Sequence, residues 1–576
     1  MTTEDRSLTH LFYARCLAGV CLCIHLMSSL IGWNNSLLDH HGFRQTQTAI
    51  TSYYFIKDGF KLNYETPVFG VPWSIPFEFP LYQGVVALIV KATGWGLDQT
   101  GRGVSLFFFY AMLMVLYRLV IALSGSRVCA WFAVAFSLSS PLYIFWSRTF
   151  LMESMALFFG ILYLWSIVES HKNKSFYWLL LAMSAGSLSG LVKITTFALA
   201  LALGSMFCLI WWLKQGKNKF SHPTWMRVGL MAIFFGLLPM TVSMGWTAFA
   251  DFLKSQNLLA MDLTSKALMQ WNFGNLQQRI FGQLHHVPIL VLFLGLMVVF
   301  MALLFLVKGL RPYFAAFFVT FFLGPMVFTN LYIEHTYYWY ASAVYLYVAL
   351  AFVAYKLIDK KGWSVWLRWC LIPVFLAFMV GVSVIRYLPS QLHDSGSAFV
   401  ASAQKVQKYI SSDGVILCYG LGWDSSFPYY AKRKALMVRG DPEIIDPALA
   451  KTIALTGPGN IQALVVGPFT SRDEKYLRTI ASRFHLTEEI SLSNGENMVT
   501  QSDIEKSWFD WNDVSSKLVR NGWAIRISST ELKLSSNLDS QKERMAQVFG
   551  KNFQGIYQVL EQSTHFIAFV RPSLRN

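Results

Sequence analysis

Charged residues are scarce in this sequence. They make up 14% of its 576 residues, whereas hydrophobic residues make up 54%, and a soluble domain usually carries about 25% charged residues. A chain of this composition cannot keep most of its surface in water, so we expect a lipid bilayer to be its main solvent. The composition excludes an ordinary soluble globular protein.

The net charge of +16 comes almost entirely from the first part of the chain. Residues 391–576 contain 21 Lys and Arg against 19 Asp and Glu, and residues 1–390 contain 27 against 13. This excess lies between apolar segments, where the cytoplasmic loops of membrane proteins collect Lys and Arg. It does not form a basic face on a soluble domain, so nucleic acid is not an expected partner.

Cysteine is also scarce, with seven residues. Cys418 stands alone after residue 391, so that region cannot form an internal disulfide, and no Cys/His cluster has the spacing of a zinc site. Glycine-rich nucleotide loops and a serine nucleophile elbow are missing from the same region. The first apolar stretch is too long for a signal peptide and lacks a cleavage site, so we interpret it as a retained span.

Long apolar runs dominate the first 390 residues. A helix needs roughly 20 apolar residues to cross the hydrocarbon core. Stretches of this kind number eleven: 11–33, 103–123, 127–146, 150–168, 176–194, 196–214, 226–247, 286–307, 312–331, 337–356 and 365–387. The stretch 80–97 has only about 15 apolar residues and contains Lys91, which is typical of an interfacial or re-entrant helix rather than a span.

The basic residues predict the orientation of these spans. With the N-terminus inside and residues 80–97 not crossing, nearly every cluster of Lys and Arg falls on the inner side, as the positive-inside rule requires. If residues 80–97 crossed, the later clusters would move outside. The resulting odd number of spans places the C-terminal region outside, together with the first long loop, residues 34–102.

The last part of the chain loses its membrane character. The stretch Ala401–Ile410 is helical in pattern, and four segments are apolar or alternating in the manner of strands: Val415–Tyr419, Ile461–Val466, Trp523–Leu534 and His565–Val570. We expect residues 391–576 to form an α/β domain with a mixed sheet.

Polar and charged residues gather on the predicted outer side. Such residues are costly at membrane depth, and they often mark functional sites. A carboxylate there could take the proton of an acceptor hydroxyl, cations could stabilise a leaving phosphate, and a sugar that leaves its phosphate passes through an oxocarbenium-like state. The candidates form five groups: Asp39 with His40, His41, Arg44 and Gln45; Glu78; Arg148 with Glu153; Lys193; and His335 with Tyr337 and Tyr338.

These features resemble the GT-C superfamily of integral membrane glycosyltransferases. The similarity is to the bacterial relatives of protein O-mannosyltransferases and lipid A aminoarabinose transferases, which are glycosyltransferase family 39-like. Asp39 in the first outside loop is the strongest match, since these enzymes carry their catalytic carboxylate there. The supporting motifs are HGFRQTQTA up to Ala49, Pro80–Tyr82 after Glu78, Arg148–Glu153, His335–Tyr338, and Gly422–Asp424 with Pro428–Arg433.

The resemblance implies a GT-C-type catalytic domain in residues 1–390. It implies inverting transfer of a sugar from a polyprenyl-phosphate donor to a glycan, lipid or protein acceptor, on the periplasmic face of a bacterial inner (plasma) membrane, with residues 391–576 in the periplasm. Asp39 would be the catalytic base, and the other members of the five groups would bind substrate. His40 stands where the mannosyltransferases often have a second acid, so no metal ligands are assigned. No cofactor is certain, and a divalent cation remains an open alternative.

Simpler roles compete with these assignments. Asp39 could cap the helix that begins near Gly42, Lys193 could extend toward lipid head groups, and Arg148 and Glu153 could form one structural ion pair. The whole chain could instead be a transporter or flippase for a charged lipid or small molecule, an oligosaccharide ligase or polymerase, or a membrane scaffold. A transporter would carry charges near the middle of the bilayer, so the grouping at one face favours the enzyme.

Overall fold

Apolar helices form most of the described chain. The computed structural model describes residues 3–214, 228–265, 307, 309–358, 364–394, 396–419, 421–438, 447–466, 481–486, 488–492 and 566–570. Within these ranges, seven helices are long and apolar enough to cross a membrane: Leu8–Leu30, Leu97–Ser124, Glu153–Asn173, Ile194–Lys214, Val228–Ser255, Thr336–Ile358 and Trp369–Arg386. Four apolar helices are shorter: Leu81–Thr93, Arg127–Ser139, Phe176–Val192 and Arg311–Val327. The remaining described α-helices are Gly42–Asp58, Pro141–Trp146, Thr329–Glu334, Leu388–Leu392, Ser397–Gln407, Ser426–Ala431 and Pro447–Thr456.

The predicted spans coincide with these helices at every position except the span 286–307, of which residues 286–306 lie outside the described residues. Three spans are shorter than predicted for local reasons. The third breaks at Ser140, whose side chain caps a new helix with Pro141 at its first position, a favoured place for proline. The fifth ends before Lys193, whose backbone is extended. The ninth has Pro325 in its last turn and ends at Val327, since proline cannot continue the hydrogen-bond ladder.

The helix Leu81–Thr93 is the short apolar helix that the sequence predicts not to cross. Its 13 residues extend about 20 Å at 1.5 Å per residue, which is less than the roughly 30 Å of a hydrocarbon core. It ends at Gly94, which has a φ of 72° and donates its N–H to the Val90 carbonyl at 2.8 Å. Glycine adopts this left-handed conformation without strain.

The chain divides into two compact units. The first contains residues 1–34, 77–251 and 265–393, and the second contains residues 35–76, 252–264 and 394–576. The expected division of roles between residues 1–390 and 391–576 remains a prediction.

Close helix approach and internal hydrogen bonds hold the first unit together. A Cβ on Gly190 would lie 2.0 Å from the Ser243 Oγ, so only glycine allows these helices to come so near, as is common in membranes. The helix Trp339–Ile358 is buried on nearly all sides. Two of its tyrosines contact buried serines: the Tyr340 hydroxyl lies 2.8 Å from the Ser154 Oγ, and the Tyr347 hydroxyl lies 2.6 Å from the Ser140 Oγ.

The second unit is built on a five-stranded mixed sheet with the order β2-β1-β3-β5-β4. Strands β1 (Val415–Tyr419), β2 (Lys434–Val438) and β3 (Ile461–Val466) are parallel, whereas β5 (Phe566–Val570) pairs antiparallel with both β3 and β4 (Glu488–Leu492). The predictions of β1, β3 and β5 and of a mixed sheet are confirmed. Strands β2 and β4 were not predicted, and the predicted strand at 523–534 lies outside the described residues.

Residues 35–76 of the first long loop belong to the fold of this second unit. The segment after the helix Gly42–Asp58 reaches the free edge of β2, where Phe69 bridges to Leu436 and two β2 amides donate to the carbonyls of Pro67 and Val68 at 3.0 and 2.9 Å. The polytopic helical membrane fold with an α/β part, expected from the sequence, is confirmed.

Candidate active site

Asp39 lies in the second unit, just before the helix Gly42–Asp58, which we call the first-loop helix. Its Oδ1 accepts a hydrogen bond of 2.5 Å from Gln45 Nε2, and the same amide donates to the His40 carbonyl at 3.0 Å. Gln45 is fully buried, whereas Asp39 is half-buried. Within the described chain the Asp39 Oδ2 has no hydrogen-bond partner, so one carboxylate oxygen is fixed and the other remains able to accept a proton.

The simpler role of Asp39 as a helix cap does not fit this geometry. The residue before the first-loop helix is His41, which has a left-handed backbone with a φ of 50° and makes no side-chain cap. The backbone amides of Arg44 and Gln45 donate to the His41 carbonyl at 3.0 and 3.3 Å. The Asp39 side chain instead bonds to the Gln45 side chain, so its position depends on the first-loop helix without capping it.

Arg44 and Gln45 are polar residues in the first turn of the first-loop helix, and both are buried. The Arg44 guanidinium donates through Nη1 to Gln47 Oε1. His40 and His41 are half-buried, and the His41 ring lies 6.2 Å from the Phe43 ring. The structure thus brings the five residues of this group together around the start of one helix.

Lys193 and Glu153 form a buried ion pair in the first unit. Their side chains are 5% and 3% exposed, and Lys193 Nζ donates to Glu153 Oε1. Glu153 is the first residue of its helix, where the helix dipole stabilises a negative charge. Lys193 lies at the break between two helices, and the end of its side chain meets Glu153 inside the unit. It does not extend toward lipid head groups, and Glu153 does not pair with Arg148.

Aromatic rings cover the ammonium group of Lys193. Its Nζ lies 4.1 Å from the centroid of the Tyr338 ring and 4.9 Å from that of Tyr337, which is within the range of a cation–π interaction. The His335 ring stacks on both tyrosines at 5.3 and 6.1 Å. The sequence candidates Glu153, Lys193, His335, Tyr337 and Tyr338 therefore form one cluster, which we call the lysine cluster.

Glu78 and Arg148 lie in loops of the same unit. The amide of Phe79 donates to the Leu191 carbonyl at 3.0 Å. Phe79 directly follows Glu78, and Leu191 precedes Lys193 by two residues, so this bond joins the two segments that contain Glu78 and Lys193. Arg148 is buried, and its Nη2 donates to the Gly32 carbonyl at 2.8 Å. Both residues stay candidates for substrate binding.

Sequence reasoning missed three polar residues near these candidates. Thr195 and Thr196 follow Lys193 directly, and Gln83 lies in the first turn of the short apolar helix Leu81–Thr93. All three are buried, and within the described ranges neither threonine hydroxyl nor the Gln83 Oε1 has a hydrogen-bond partner. The same is true of the Glu153 Oε2. Adjacent threonines at a break between two spans were the available signal.

The candidate side chains do not gather into a metal-binding cluster among the described residues. In the part of the chain that the structure describes, no group of three or more His, Cys, Asp or Glu residues is placed to hold a metal ion.

The chain is similar to known proteins in part of its sequence and in its fold. The family described as dolichyl-phosphate-mannose-protein mannosyltransferase matches residues 99–254, and no curated protein sequence matches the chain. ArnT from Cupriavidus metallidurans bound to undecaprenyl phosphate is similar in structure, with a TM-score of 0.50 and 10% identity over 82% of this chain and 96% of ArnT. Its apo form gives a TM-score of 0.52, with 11% identity over 82% of this chain and 95% of ArnT.

Part of a mycobacterial enzyme has a similar fold. Arabinofuranosyltransferase AftD from Mycobacteria gives a TM-score of 0.50 and 14% identity, over 85% of this chain and 39% of AftD. At this level of identity the likenesses establish the fold. The resemblance to the GT-C integral membrane glycosyltransferases, expected from the sequence, is confirmed by the family match over residues 99–254 and by the shared fold.

Proposed function

We propose that this multi-pass membrane protein is an inverting glycosyltransferase. It moves a sugar from a polyprenyl-phosphate donor to an acceptor hydroxyl of a glycan, lipid or protein. The observation that carries the proposal is Asp39, whose Oδ1 is held by Gln45 while its Oδ2 has no partner within the described chain, in a protein with the GT-C fold. A carboxylate held in this way suits a general base, which must keep one oxygen available to the proton it removes.

In the proposed reaction the acceptor oxygen attacks the anomeric carbon as Asp39 takes its proton. The bond between that carbon and the phosphate oxygen breaks on the opposite face of the sugar, through an oxocarbenium-like state. A single displacement of this kind inverts the anomeric configuration. The leaving group is a polyprenyl phosphate, whose added negative charge needs cations and hydrogen-bond donors.

We assign phosphate recognition to the cationic candidates Lys193, Arg148 and Arg44. Lys193 is supported by its environment, since a buried ammonium between one carboxylate oxygen and two aromatic rings is held in place before a ligand arrives. The hydroxyls of Thr195 and Thr196, which have no hydrogen-bond partner among the described residues, supply further donors on the next residues of the chain. Undecaprenyl phosphate is the ligand of the structurally similar ArnT, which favours this class of donor.

Orientation and location are part of the proposal. The distribution of Lys and Arg predicts that the first long loop and residues 391–576 lie on the periplasmic face of a bacterial inner membrane. A cysteine introduced at residue 450 of an otherwise cysteine-free chain tests this. It should react with a membrane-impermeant maleimide in intact spheroplasts. Labelling only after lysis would reverse the orientation.

A donor panel tests the reaction itself. The purified full-length protein is offered undecaprenyl phosphates that carry hexoses, pentoses or an amino-pentose, together with envelope extracts as acceptors, and products are identified by mass. We expect addition of one sugar, release of undecaprenyl phosphate and an inverted anomeric configuration by NMR. Transfer of a whole oligosaccharide from a pyrophosphate carrier would identify a ligase, and movement of the lipid across vesicles without transfer would identify a flippase.

A further inference from the structure

Two residues from the C-terminal part of the chain, Asp394 and Tyr430, hold the segment that contains Asp39 on its N-terminal side. The Asp394 carboxylate accepts hydrogen bonds from the Ser36 backbone amide at 3.1 Å and from the Ser36 hydroxyl at 2.6 Å. The Leu37 amide donates to the Tyr430 hydroxyl at 2.7 Å. Ser36 and Leu37 are buried, whereas Asp394 and Tyr430 are half-buried, and buried donors left without a partner are costly.

A pair of serines, Ser425 and Ser426, anchors the same segment on its C-terminal side. We call this pair the serine turn. Both hydroxyls lie 3.1 Å from the Thr46 Oγ1, and the Ser425 hydroxyl donates to the Phe43 carbonyl at 3.0 Å. The serines and Thr46 are each at most 2% exposed. The contacts join residues separated by about 380 positions, so they cannot arise from local chain geometry.

The serine turn is itself held in a fixed shape. The Asp424 carboxylate accepts a hydrogen bond from the Ser426 amide at 2.7 Å. The ring of Trp423 stacks on Phe69 at 5.9 Å and meets the edge of Phe43 at 6.0 Å. Trp423 thus contacts the first turn of the first-loop helix and the segment that follows this helix. The segment 422–433, which the sequence singled out as a motif supporting the family resemblance, is a contact surface for that loop.

Asp39 lies between the two anchors. It is two residues from Leu37 and four residues from Phe43, and its carboxylate is bonded to Gln45, which directly precedes Thr46. Fixing both ends of so short a segment restricts its backbone, so less conformational entropy is lost when the catalytic geometry forms. The serine turn therefore acts on Asp39 through Thr46 and Gln45.

We propose that Ser425, Ser426 and Tyr430 are positioning residues for Asp39. The C-terminal domain would then be a working part of the catalytic centre, because it sets the position of the general base in the first long loop. This inference rests on the proposed function, since it takes Asp39 as the base. It differs from a role in acceptor recognition and from a role in the stability of the C-terminal domain alone.

Substitutions at Thr46 and the serine turn test the proposal from both sides. The double variant Ser425→Ala/Ser426→Ala and the isosteric variant Thr46→Val each remove the hydroxyl contacts, whereas Thr46→Ser retains a hydroxyl. Ser411→Ala is the matched control, because Ser411 bonds to Gln462 in the same domain and makes no contact with the first long loop among the described residues. All variants are made in the full-length protein.

Two measurements separate positioning from stability. Hydrogen–deuterium exchange of the peptide covering residues 36–47 reports on the anchoring without any substrate. Steady-state kinetics with the best donor of the panel reports kcat and KM. We expect faster exchange in Thr46→Val and in the double serine variant, a fall in kcat between about 10-fold and 100-fold, and a donor KM within about two-fold of wild type. Thr46→Ser should restore both, and combining Thr46→Val with the serine variant should add little, since the serine variant already removes both hydroxyl contacts of Thr46 with the serine turn.

Defined results overturn the proposal. Exchange and kcat equal to those of Ser411→Ala would refute the anchoring, and faster exchange with an unchanged kcat would refute its catalytic role. If the double serine variant does not fold, Tyr430→Phe applies the same two measurements to the Leu37 anchor. Asp39→Asn is measured alongside: an active Asp39→Asn refutes the proposed function, whereas an inactive Asp39→Asn with a normal serine variant refutes the positioning role alone.

Discussion

Replacing one partner of the buried Lys193–Glu153 pair should be among the most destabilising single changes in the first unit. An exposed ion pair contributes about 0–1 kcal/mol, but these side chains are 5% and 3% exposed. Breaking a pair at such burial costs roughly 3–5 kcal/mol, because the remaining charge has no water. Lys193→Met also loses the cation–π contact with Tyr338 at 4.1 Å, so we expect a loss of about 4 kcal/mol.

A double-mutant cycle isolates the pair. Glu153→Gln should cost about 3 kcal/mol, and Lys193→Met/Glu153→Gln should cost less than either single change, because no unpaired charge stays buried. Unfolding in mixed micelles with increasing SDS, followed by tryptophan fluorescence, measures the free energies. The exposed pair Lys57–Asp413, at 3.6 Å with 36% and 90% exposure, is the matched control, and Lys57→Met should cause no measurable change. Additive losses in the cycle would refute the reasoning.

Two further substitutions test the packing of each unit. Asn257→Ala should lower the stability of the second unit by about 3 kcal/mol, because the buried Asn257 amide donates to three carbonyls in residues 69–72. A thermal unfolding midpoint equal to that of wild type would contradict this expectation. Gly190→Ala should cost about 1–3 kcal/mol in the micelle assay, because its Cβ would lie 2.0 Å from the Ser243 Oγ, whereas Gly19→Ala, with no atom within 4 Å, should be neutral. Equal effects of the two glycine changes would contradict the close helix contact.

The membrane helices could be predicted because their signal is local. A run of about 20 apolar residues needs no knowledge of distant parts of the chain, and the stretch 80–97 was separable by its short apolar length, by Lys91 and by the distribution of basic residues. The strands β2 and β4 could not be predicted in the same way. The first, Lys434–Val438, follows a basic run, and the second begins with two glutamates, so neither shows the alternation that marks a strand.

The candidate site was predictable in its residues and not in its pairings. Lys193 and Glu153 were candidates because they are polar residues at the ends of spans. The sequence alone also allowed two other arrangements, a lysine extended to the lipid surface and an ion pair between Glu153 and Arg148. The extended backbone at residue 193 decides the matter, since it interrupts two helices and leaves the side chain inside.

The serine turn shows the same limit. The segment 422–433 was notable in the sequence, yet its contact with Thr46 spans about 380 residues. No pattern within either segment encodes the other, because hydrogen bonds between distant residues form only after the fold has brought them together.

The central claim is that Asp39 is the general base of a polyprenyl-phosphate-dependent glycosyl transfer. Its most direct test is the single-turnover rate of Asp39→Asn with the best donor of the panel, with binding of undecaprenyl phosphate measured in the same preparation. The change replaces one oxygen and keeps the size of the side chain, so we predict normal lipid binding and a transfer rate lower by about 10²–10⁴-fold, the usual contribution of a general base. A rate within about three-fold of wild type would contradict the account.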